Sequence, residues 1–123
     1  MKEGCGTMDR RSLGERGEAL AIAHLQKQGM RIEARNFRCR LGEIDLVARD
    51  GETLVFIEVR SRASTGCGLP QETVNHRKRK RLRRLAEFYL LGREQTPVRF
   101  DVVAVLFDRE GNLRRLEHIP DAF

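Results

Sequence analysis

The stretch that decides the fold is GEIDLVARDGETLVFIEVR, residues 42–60. Both halves of this stretch are rich in β-branched and other apolar residues, which favour strands. Asp50-Gly51, which lies between the halves, is a typical turn signal. We therefore predict a hairpin whose two strands run over residues 43–48 and 53–60.

Two acids of this hairpin, Asp45 and Glu58, are predicted to share one face with Arg60. Side chains alternate along a strand, so any loop with an even number of residues brings these three to the same side. A two-residue loop after Asp50 sets Asp45 directly opposite Glu58, whereas a tighter turn leaves Glu58 diagonal. An odd loop or a bulge would separate the acids.

The acid face of the hairpin is apolar around its charges. Two carboxylates beside apolar surface repel each other and lose hydration, and a divalent cation relieves both effects by coordinating both groups. Oxygen ligands suit Mg²⁺ or Mn²⁺. The alternative is an ion pair with a nearby arginine and no metal. The acid face also carries Val47, Leu54 and Phe56, and the opposite, core-facing side is predicted to hold Ile44, Leu46, Val55, Ile57 and Val59.

A third acid, Glu18, lies in a predicted helix that begins at Ser12 and stops at Gly29. Ser12 followed by Glu15 is a capping box, and glycine commonly terminates a helix. At helical spacing Glu18 shares a face with apolar residues such as Leu25, so it is expected to point toward the sheet. Glu18 is either a salt-bridge partner or a further metal ligand.

The elements outside the hairpin follow from composition and alternation. Asn75 and Gly92 bound a second predicted helix. The apolar run VRFDVVAVLF predicts a strand over residues 98–107, in which Asp101 is a structural acid that holds an arginine. The remaining predictions are strands over residues 31–37 and 113–119 and a long loop over residues 61–73.

This order of elements predicts one α/β domain. A helix, three strands, a helix and two strands suggest a mixed central sheet flanked by helices. We place the domain at residues 12–123, after a flexible N-terminus of residues 1–11.

The second predicted helix carries a run of cations, HRKRKRLRR at residues 76–84. A solvated helix normally mixes both signs of charge, which offsets repulsion between neighbours. The formal net charge of the chain is +6, so a phosphate backbone is the natural counter-charge. A merely soluble face, an anionic membrane surface and an acidic protein are the alternatives. The predicted nucleic-acid-binding residues are Arg77, Lys78, Arg79, Lys80, Arg81, Arg83 and Arg84.

Composition argues against other classes of protein. No apolar run approaches the roughly 20 residues that span a bilayer, and the N-terminus lacks the apolar core of a secretory signal. We therefore expect a cytoplasmic protein without membrane partners. The cysteines Cys5, Cys39 and Cys67 are widely spaced, which predicts reduced thiols rather than a zinc site.

The chain combines a helix whose Glu points toward the sheet, an Asp on the second strand and a Glu-x-Lys-type motif on the third strand. In these features it resembles the PD-(D/E)xK nuclease core. This is the restriction-endonuclease-like fold, with core order αβββαβ, which archaeal Holliday junction resolvases share. From about residue 12 to the C-terminus the chain looks more closely like the YraN family of small, mostly uncharacterised bacterial proteins. The segments that carry this resemblance are GERGEALAIAHLQKQG, NFRCRLGEIDLVARDGETLVFIEVRSR, HRKRKRLRRLAEFYL, RFDVVAV and HIPDAF.

The resemblance implies a metal-dependent endonuclease that acts on DNA, with branched DNA as a candidate substrate and a two-fold dimer as the candidate assembly. It implies Asp45, Glu58 and Glu18 as catalytic ligands for Mg²⁺ or Mn²⁺. A non-catalytic nucleic-acid-binding or repair-accessory module that retains the fold is the alternative. A protein-interaction scaffold is a third hypothesis.

Position 60 departs from the motif, because this chain has Arg60 where the motif has lysine. The lysine is thought to orient the attacking water and to stabilise charge in the transition state. Arg60 can bind phosphate through its planar fork and stabilise that charge, but it cannot deprotonate. We therefore expect Arg60 to be a catalytic residue without a general-base role. Gln71, in the long loop, is a candidate for orienting a water molecule.

Overall fold

The computed structural model describes residues 10–63 and 76–123 of the chain. The helices and strands in these residues follow the predicted order. They are α1 (Arg10–Lys27), β1 (Arg31–Cys39), β2 (Gly42–Asp50), β3 (Thr53–Ala63), α2 (His76–Tyr89), β4 (Val98–Phe107) and β5 (Leu113–Ile119).

The strands form one mixed sheet in the order β1-β2-β3-β4-β5. β3 and β4 run parallel, while the other neighbouring pairs are antiparallel. Parallel neighbours need a crossover rather than a tight turn, and α2 lies in this crossover. The prediction of a mixed sheet flanked by helices is confirmed, and the arrangement is compatible with a restriction-endonuclease-like core.

The central hairpin of β2 and β3 has the even loop on which the acid prediction depends. Asp50 pairs with Thr53, and the register runs in step as far as Leu46 opposite Ile57. Gly51, the first loop residue, has a φ of 63°, a conformation that glycine adopts without steric penalty. The hairpin is therefore paired as the even-loop prediction requires.

Each helix closes its own apolar cluster on the sheet. Residues of β3 alternate between the two clusters, so the helices cover opposite faces. Full burial of one such aliphatic side chain contributes roughly 1.5–3 kcal/mol. The α1 cluster contains Ala21, Leu25, Met30, Leu46, Ala48, Val55, Ile57, Val103, Val105 and Phe107. The α2 cluster contains Ile44, Val47, Leu54, Phe56, Leu82, Leu85 and Ala86.

The predicted face of Ile44 was wrong. Ile44 packs in the α2 cluster with Val47 rather than in the α1 cluster with Leu46. Two residues three positions apart share a face only where strict alternation breaks. Asn36 of β1 lies opposite this break, between paired neighbours, and has a φ of 53°. Asparagine tolerates this left-handed conformation better than most residues, so β1 and β2 are irregular at the same level.

Both helices begin and end close to the predicted positions, and α2 begins at His76 as predicted. α1 already includes Arg10, so the predicted start at Ser12 was two residues late. After α1, Gly29 has a φ of 94°. The Met30 N–H donates to the Leu25 carbonyl at 3.0 Å, as in a glycine-terminated helix. Gly92 follows α2 with a φ of 77°.

β3 is longer than predicted, because it continues through residues 61–63 instead of ending at residue 60. The rest of the predicted loop lies outside the described residues, as do the predicted helix cap Asn75 and the water-orienting candidate Gln71. Within the described ranges, no helix is both long and apolar enough to cross a membrane.

Candidate functional site

The two hairpin acids lie together at one end of the sheet. The paired register of β2 and β3 ends with Leu46 opposite Ile57, and Asp45 and Glu58 are the next residues of the two strands. One oxygen of Asp45, Oδ2, accepts a hydrogen bond from the Val59 N–H at 2.9 Å. Asp45 and Glu58 line the same open cleft of about 370 Å³. The structure therefore brings together the two acids that the sequence singled out.

Asp45 is half-buried and electrostatically unfavourable. Burial, followed by the negative charge of Glu58, raises the pKa of Asp45 to about 7, although the hydrogen bond from Val59 opposes the shift. A carboxylate in this setting is stabilised by any cation that reaches it. Positive charge brought into the cleft would thus stabilise ionised Asp45.

Glu58 has a different environment, because two cations approach it. The Lys78 Nζ atom lies 2.7 Å from Glu58 Oε2, and the Arg60 Nε atom lies 3.5 Å from the same oxygen. Only 8% of Glu58 is exposed. Burial of a carboxylate to this degree requires such pairing.

The contact of Lys78 with Glu58 was not predicted. Lys78 was assigned to nucleic-acid binding with the other cations of α2, whereas the structure places it against the acid pair. One signal was available in the sequence: Lys78 lies four residues before Leu82 and therefore on the helix face that packs on the sheet. The missing information was that α2 packs over this end of the β2–β3 hairpin.

Glu18 approaches the acid pair from α1. Its Oε1 atom accepts a hydrogen bond from Asn36 Nδ2 at 3.0 Å. Burial raises the pKa of Glu18, and the charge of Glu18 contributes to the raised pKa of Asp45. Among residues 10–63 and 76–123, however, no three His, Cys, Asp or Glu side chains form a metal-binding group. A ligand role for Glu18 stays a prediction.

The two carboxylates of the cleft suit a divalent cation. Asp45 and Glu58 offer hard oxygen donors, which Mg²⁺ and Mn²⁺ prefer. The repulsion between these groups, expressed in the raised pKa of Asp45, is the quantity that a bound dication would reduce.

The remaining cations of α2 extend from the cleft along the helix surface. A second open cleft of about 270 Å³ is formed by one face of α2 and the exposed Leu41 of the β1–β2 turn. Arg81 lines both clefts. The second cleft is lined by Leu41, Arg77, Lys80, Arg81 and Arg84. Positive charge therefore continues without a gap from this surface to the acid pair.

The other buried acid, Asp101, has the structural role that the sequence predicted. Both of its oxygens accept hydrogen bonds from Arg99, at 2.9 and 3.0 Å. His118 Nε2 lies 2.7 Å from Oδ2, and the Asp121 N–H donates to Oδ1 at 3.0 Å. Asp101 is not among the residues that line the acid cleft.

Sequence reasoning missed a second structural acid, Glu33 of β1. Glu33 accepts a hydrogen bond from the Tyr89 hydroxyl at the end of α2. Arg49 and Arg93 donate to Glu33 at 3.1 and 2.8 Å. This cluster attaches α2 to the sheet, and it is distinct from the residues of the acid cleft.

Comparison with known proteins identifies the family. The model of the uncharacterised protein family UPF0102 matches residues 17–105. A UPF0102 protein of Pelotomaculum thermopropionicum is 53% identical over 116 residues, which are 93% of this chain and 97% of the relative.

Two further relatives are similar along nearly their whole length. A UPF0102 protein of Moorella thermoacetica is 55% identical over 119 residues, which are 95% of this chain and 99% of the relative. A UPF0102 protein of Anaeromyxobacter dehalogenans is 52% identical over 117 residues, which are 93% of this chain and 85% of the relative. The YraN-like resemblance is confirmed at the level of the family, and the chain belongs to the uncharacterised protein family UPF0102.

Proposed function

We propose that this protein is a metal-dependent endonuclease-like phosphodiester hydrolase that acts on DNA, with branched DNA as one candidate substrate. The observation that carries the proposal is the cleft that holds Asp45 and Glu58, because the cationic helix α2 forms part of its wall. A nuclease needs both the acids and the cations. The acids act on the reacting phosphate through a bound metal ion, and the cations bind the polyanionic backbone. The resemblance to the PD-(D/E)xK core supports the same proposal.

Asp45 and Glu58, with the Val59 carbonyl, would hold Mg²⁺ or Mn²⁺. When bound, the cation supplies Lewis-acid polarisation of the phosphate and a more acidic bound water. Arg60 would stabilise negative charge on the phosphate, because its guanidinium reaches Glu58 from within the cleft. Glu18 would complete the acidic site from α1.

The other cations of α2 would hold the DNA backbone. They form a continuous surface with the acid cleft through Arg81. Phosphate contacts of this kind position the nucleic acid and carry no base sequence. We therefore expect recognition of DNA structure rather than of a specific sequence.

The test is cleavage of branched, nicked and single-stranded DNA in the presence of Mn²⁺. Asp45→Asn keeps the shape of the side chain and should lower the cleavage rate by about 100-fold or more, since even residues that only support a metal ligand cost 10–100-fold. Glu52→Gln, on the exposed hairpin loop, removes an equal charge and should cleave like the wild type. Equal cleavage by the Asp45→Asn and wild-type proteins would refute a catalytic role for this site.

A second candidate function is binding of nucleic acid without cleavage. The observation that favours it is that Glu58 is paired with two cations, together with the presence of Arg60 where the motif has lysine. This candidate predicts DNA binding that survives Asp45→Ala and Glu58→Ala, and calorimetry that detects no binding of Mg²⁺ or Mn²⁺. Metal binding that both substitutions abolish would instead favour the nuclease.

The two-fold dimer, the cytoplasmic location and the scaffold hypothesis stay predictions. An acidic protein in place of DNA would bind α2 with a similar dependence on salt. Competition with a short duplex of unrelated sequence separates these partners.

A further inference from the structure

Among the ion pairs of the described residues, Lys78 is the residue of α2 that contacts an acid of the cleft. We infer that Lys78 supplies, from α2, the lysine function that position 60 lacks, by contacting a phosphate oxygen of DNA at the acid cleft. This inference rests on the proposed nuclease function and adds a specific residue to it.

The position of Lys78 supports a role inside the cleft. Its side chain lines the acid cleft together with Leu82, and its ammonium reaches Glu58. The side chain is nevertheless 32% exposed. The charged end is therefore anchored by Glu58 at 2.7 Å and still lies where a phosphate entering the cleft would meet it.

The chemistry of an ammonium group suits this position. An ammonium carries three N–H donors, so one group can hold a carboxylate and donate to a phosphate oxygen at the same time. The guanidinium of Arg60 is planar, always charged and only 19% exposed, and its Nε atom lies 3.5 Å from Glu58. Lys78 thus makes the shorter contact with Glu58 and is the more accessible of the two cations.

The position of Lys78 on α2 also explains how the DNA backbone would reach the acid cleft. Lys78 and Arg81 are three residues apart, so their side chains are neighbours on the helix surface. Arg81 lines both the acid cleft and the neighbouring cationic cleft. A backbone held by the exposed cations therefore passes Arg81 and reaches Lys78 beside Glu58.

The first test measures contact rather than activity. The chain has only four lysines, Lys2, Lys27, Lys78 and Lys80, so the resonance of the Lys78 side chain can be assigned by its loss in Lys78→Met. Addition of a short DNA duplex to the metal-free protein should shift this resonance. An unchanged Lys78 resonance at saturating duplex would overturn the inference.

The second test separates chemistry from binding. We expect Lys78→Met to lower the single-turnover cleavage rate with Mn²⁺ on the order of 100-fold, as for other groups that stabilise transition-state charge, with a change in DNA affinity of less than about 3-fold. Lys27→Met, on the exposed end of α1, is the control and should match the wild type. A merely structural lysine would lower the melting temperature and leave the rate at saturation unchanged.

The decisive variant moves the lysine. Arg60→Lys combined with Lys78→Met returns a lysine to the cleft from β3 and should recover at least about 10-fold of the lost rate, because an ammonium again faces the phosphate. Lack of recovery would overturn the equivalence of the two positions. An active wild type with an equally active Lys78→Met protein refutes only this inference, whereas DNA that is bound and never cut refutes the nuclease proposal.

Discussion

Two aspartates of the same sheet, Asp45 and Asp101, have surroundings that move their pKa values in opposite directions. Burial and the charge of Glu58 raise the pKa of Asp45. Burial also acts to raise the pKa of Asp101, but hydrogen bonds from His118, Arg99 and the Asp121 N–H outweigh it, so the pKa is lowered. The charge of Glu58 disfavours ionised Asp45, whereas neighbouring hydrogen-bond donors stabilise ionised Asp101. This contrast separates the candidate functional acid from the structural one.

The first prediction concerns the energetic cost of Asp45. At pH 8 without divalent cations, Asp45→Asn should raise the free energy of unfolding by about 1–3 kcal/mol, because it removes a half-buried charge that Glu58 repels. The Asn oxygen can still accept from the Val59 N–H. Urea denaturation measures this difference, and Glu52→Gln on the exposed loop should stay within about 0.5 kcal/mol.

Mn²⁺ should reverse the order of stability of the wild-type and Asp45→Asn proteins. A ligand that binds only the native state raises the melting temperature, so Mn²⁺ should stabilise the wild type more than Asp45→Asn. An Asp45→Asn protein that is less stable than the wild type in chelator would contradict the proposed repulsion.

The second prediction concerns Asp101 and its pH dependence. Because the pKa of folded Asp101 lies below its ordinary value of 3.8, its stabilisation is present above that value and is lost as the pH falls through the folded pKa. Asp101→Asn should therefore cost about 3–5 kcal/mol at pH 7, as for the loss of one partner of a buried ion pair, and the difference from wild type should shrink at pH 3. The side chains that contact Asp101 are Arg99 and His118, with Asp50 bound to the far side of Arg99.

Denaturation at pH 7 and pH 3 measures this change. Glu94→Gln, at an exposed position, removes an equal charge and should show no such convergence. A difference between Asp101→Asn and wild type that is equal at both pH values would contradict the linkage of stability to the charge of Asp101.

At the scale of elements, α1 lies close against β3 at Gly17. A Cβ atom at Gly17 would lie 1.8 Å from Ser61 Oγ and 3.0 Å from Ser61 Cβ. Gly14, one turn earlier in the same helix, has no atom within 4 Å of the equivalent position. The glycine at position 17 is therefore required by packing, whereas the one at position 14 is not.

The third prediction uses these two glycines as a matched pair. Gly17→Ala should lower the free energy of unfolding by about 1–3 kcal/mol, because overpacking forces the helix away from β3. Gly14→Ala should raise it by about 0.5–1 kcal/mol, since alanine restricts the unfolded chain and favours the helix. Thermal and urea denaturation of both variants check the signs. Two variants with the same sign would contradict the packing of α1 on Ser61.

At the scale of the whole molecule, the position of the positive charge matters more than its sum. The formal net charge is +6, and a continuous cationic surface extends along α2 from the acid cleft. Exposed arginines elsewhere, such as Arg31, Arg109 and Arg115, contribute equally to the sum. If α2 holds the DNA backbone, neutralising the arginines of α2 should affect DNA binding differently from neutralising these other exposed arginines.

The fourth prediction compares two triple variants with the same loss of charge. Neutralising Arg79, Arg81 and Arg83 with glutamine should reduce the slope of log affinity against log salt by about 2–3, because each phosphate contact contributes about 0.9. Neutralising Arg31, Arg109 and Arg115 should leave the slope nearly unchanged. Fluorescence anisotropy with labelled duplex measures both, and equal slopes would contradict a binding role specific to α2.

The sequence by itself determined the order of elements and the adjacency of Asp45 and Glu58. Both depend on local rules: apolar alternation along a strand, a turn at Asp50-Gly51 and a glycine after each helix. The even loop then places the two acids on neighbouring strands of one hairpin. Because few residues separate them in the chain, local rules are enough to predict that they lie together. Asp101 could also be assigned from its position in an apolar strand, since a buried acid needs a cation.

The tertiary structure decided the features that depend on contacts between distant elements. Ile44 packs on the α2 face because the backbone is irregular opposite Asn36, and alternation cannot predict such a break. Lys78 reaches Glu58 only because the parallel β3–β4 pair requires a crossover that carries α2 over the cleft. Local spacing specifies which residues share a face, but packing of whole elements specifies which faces meet.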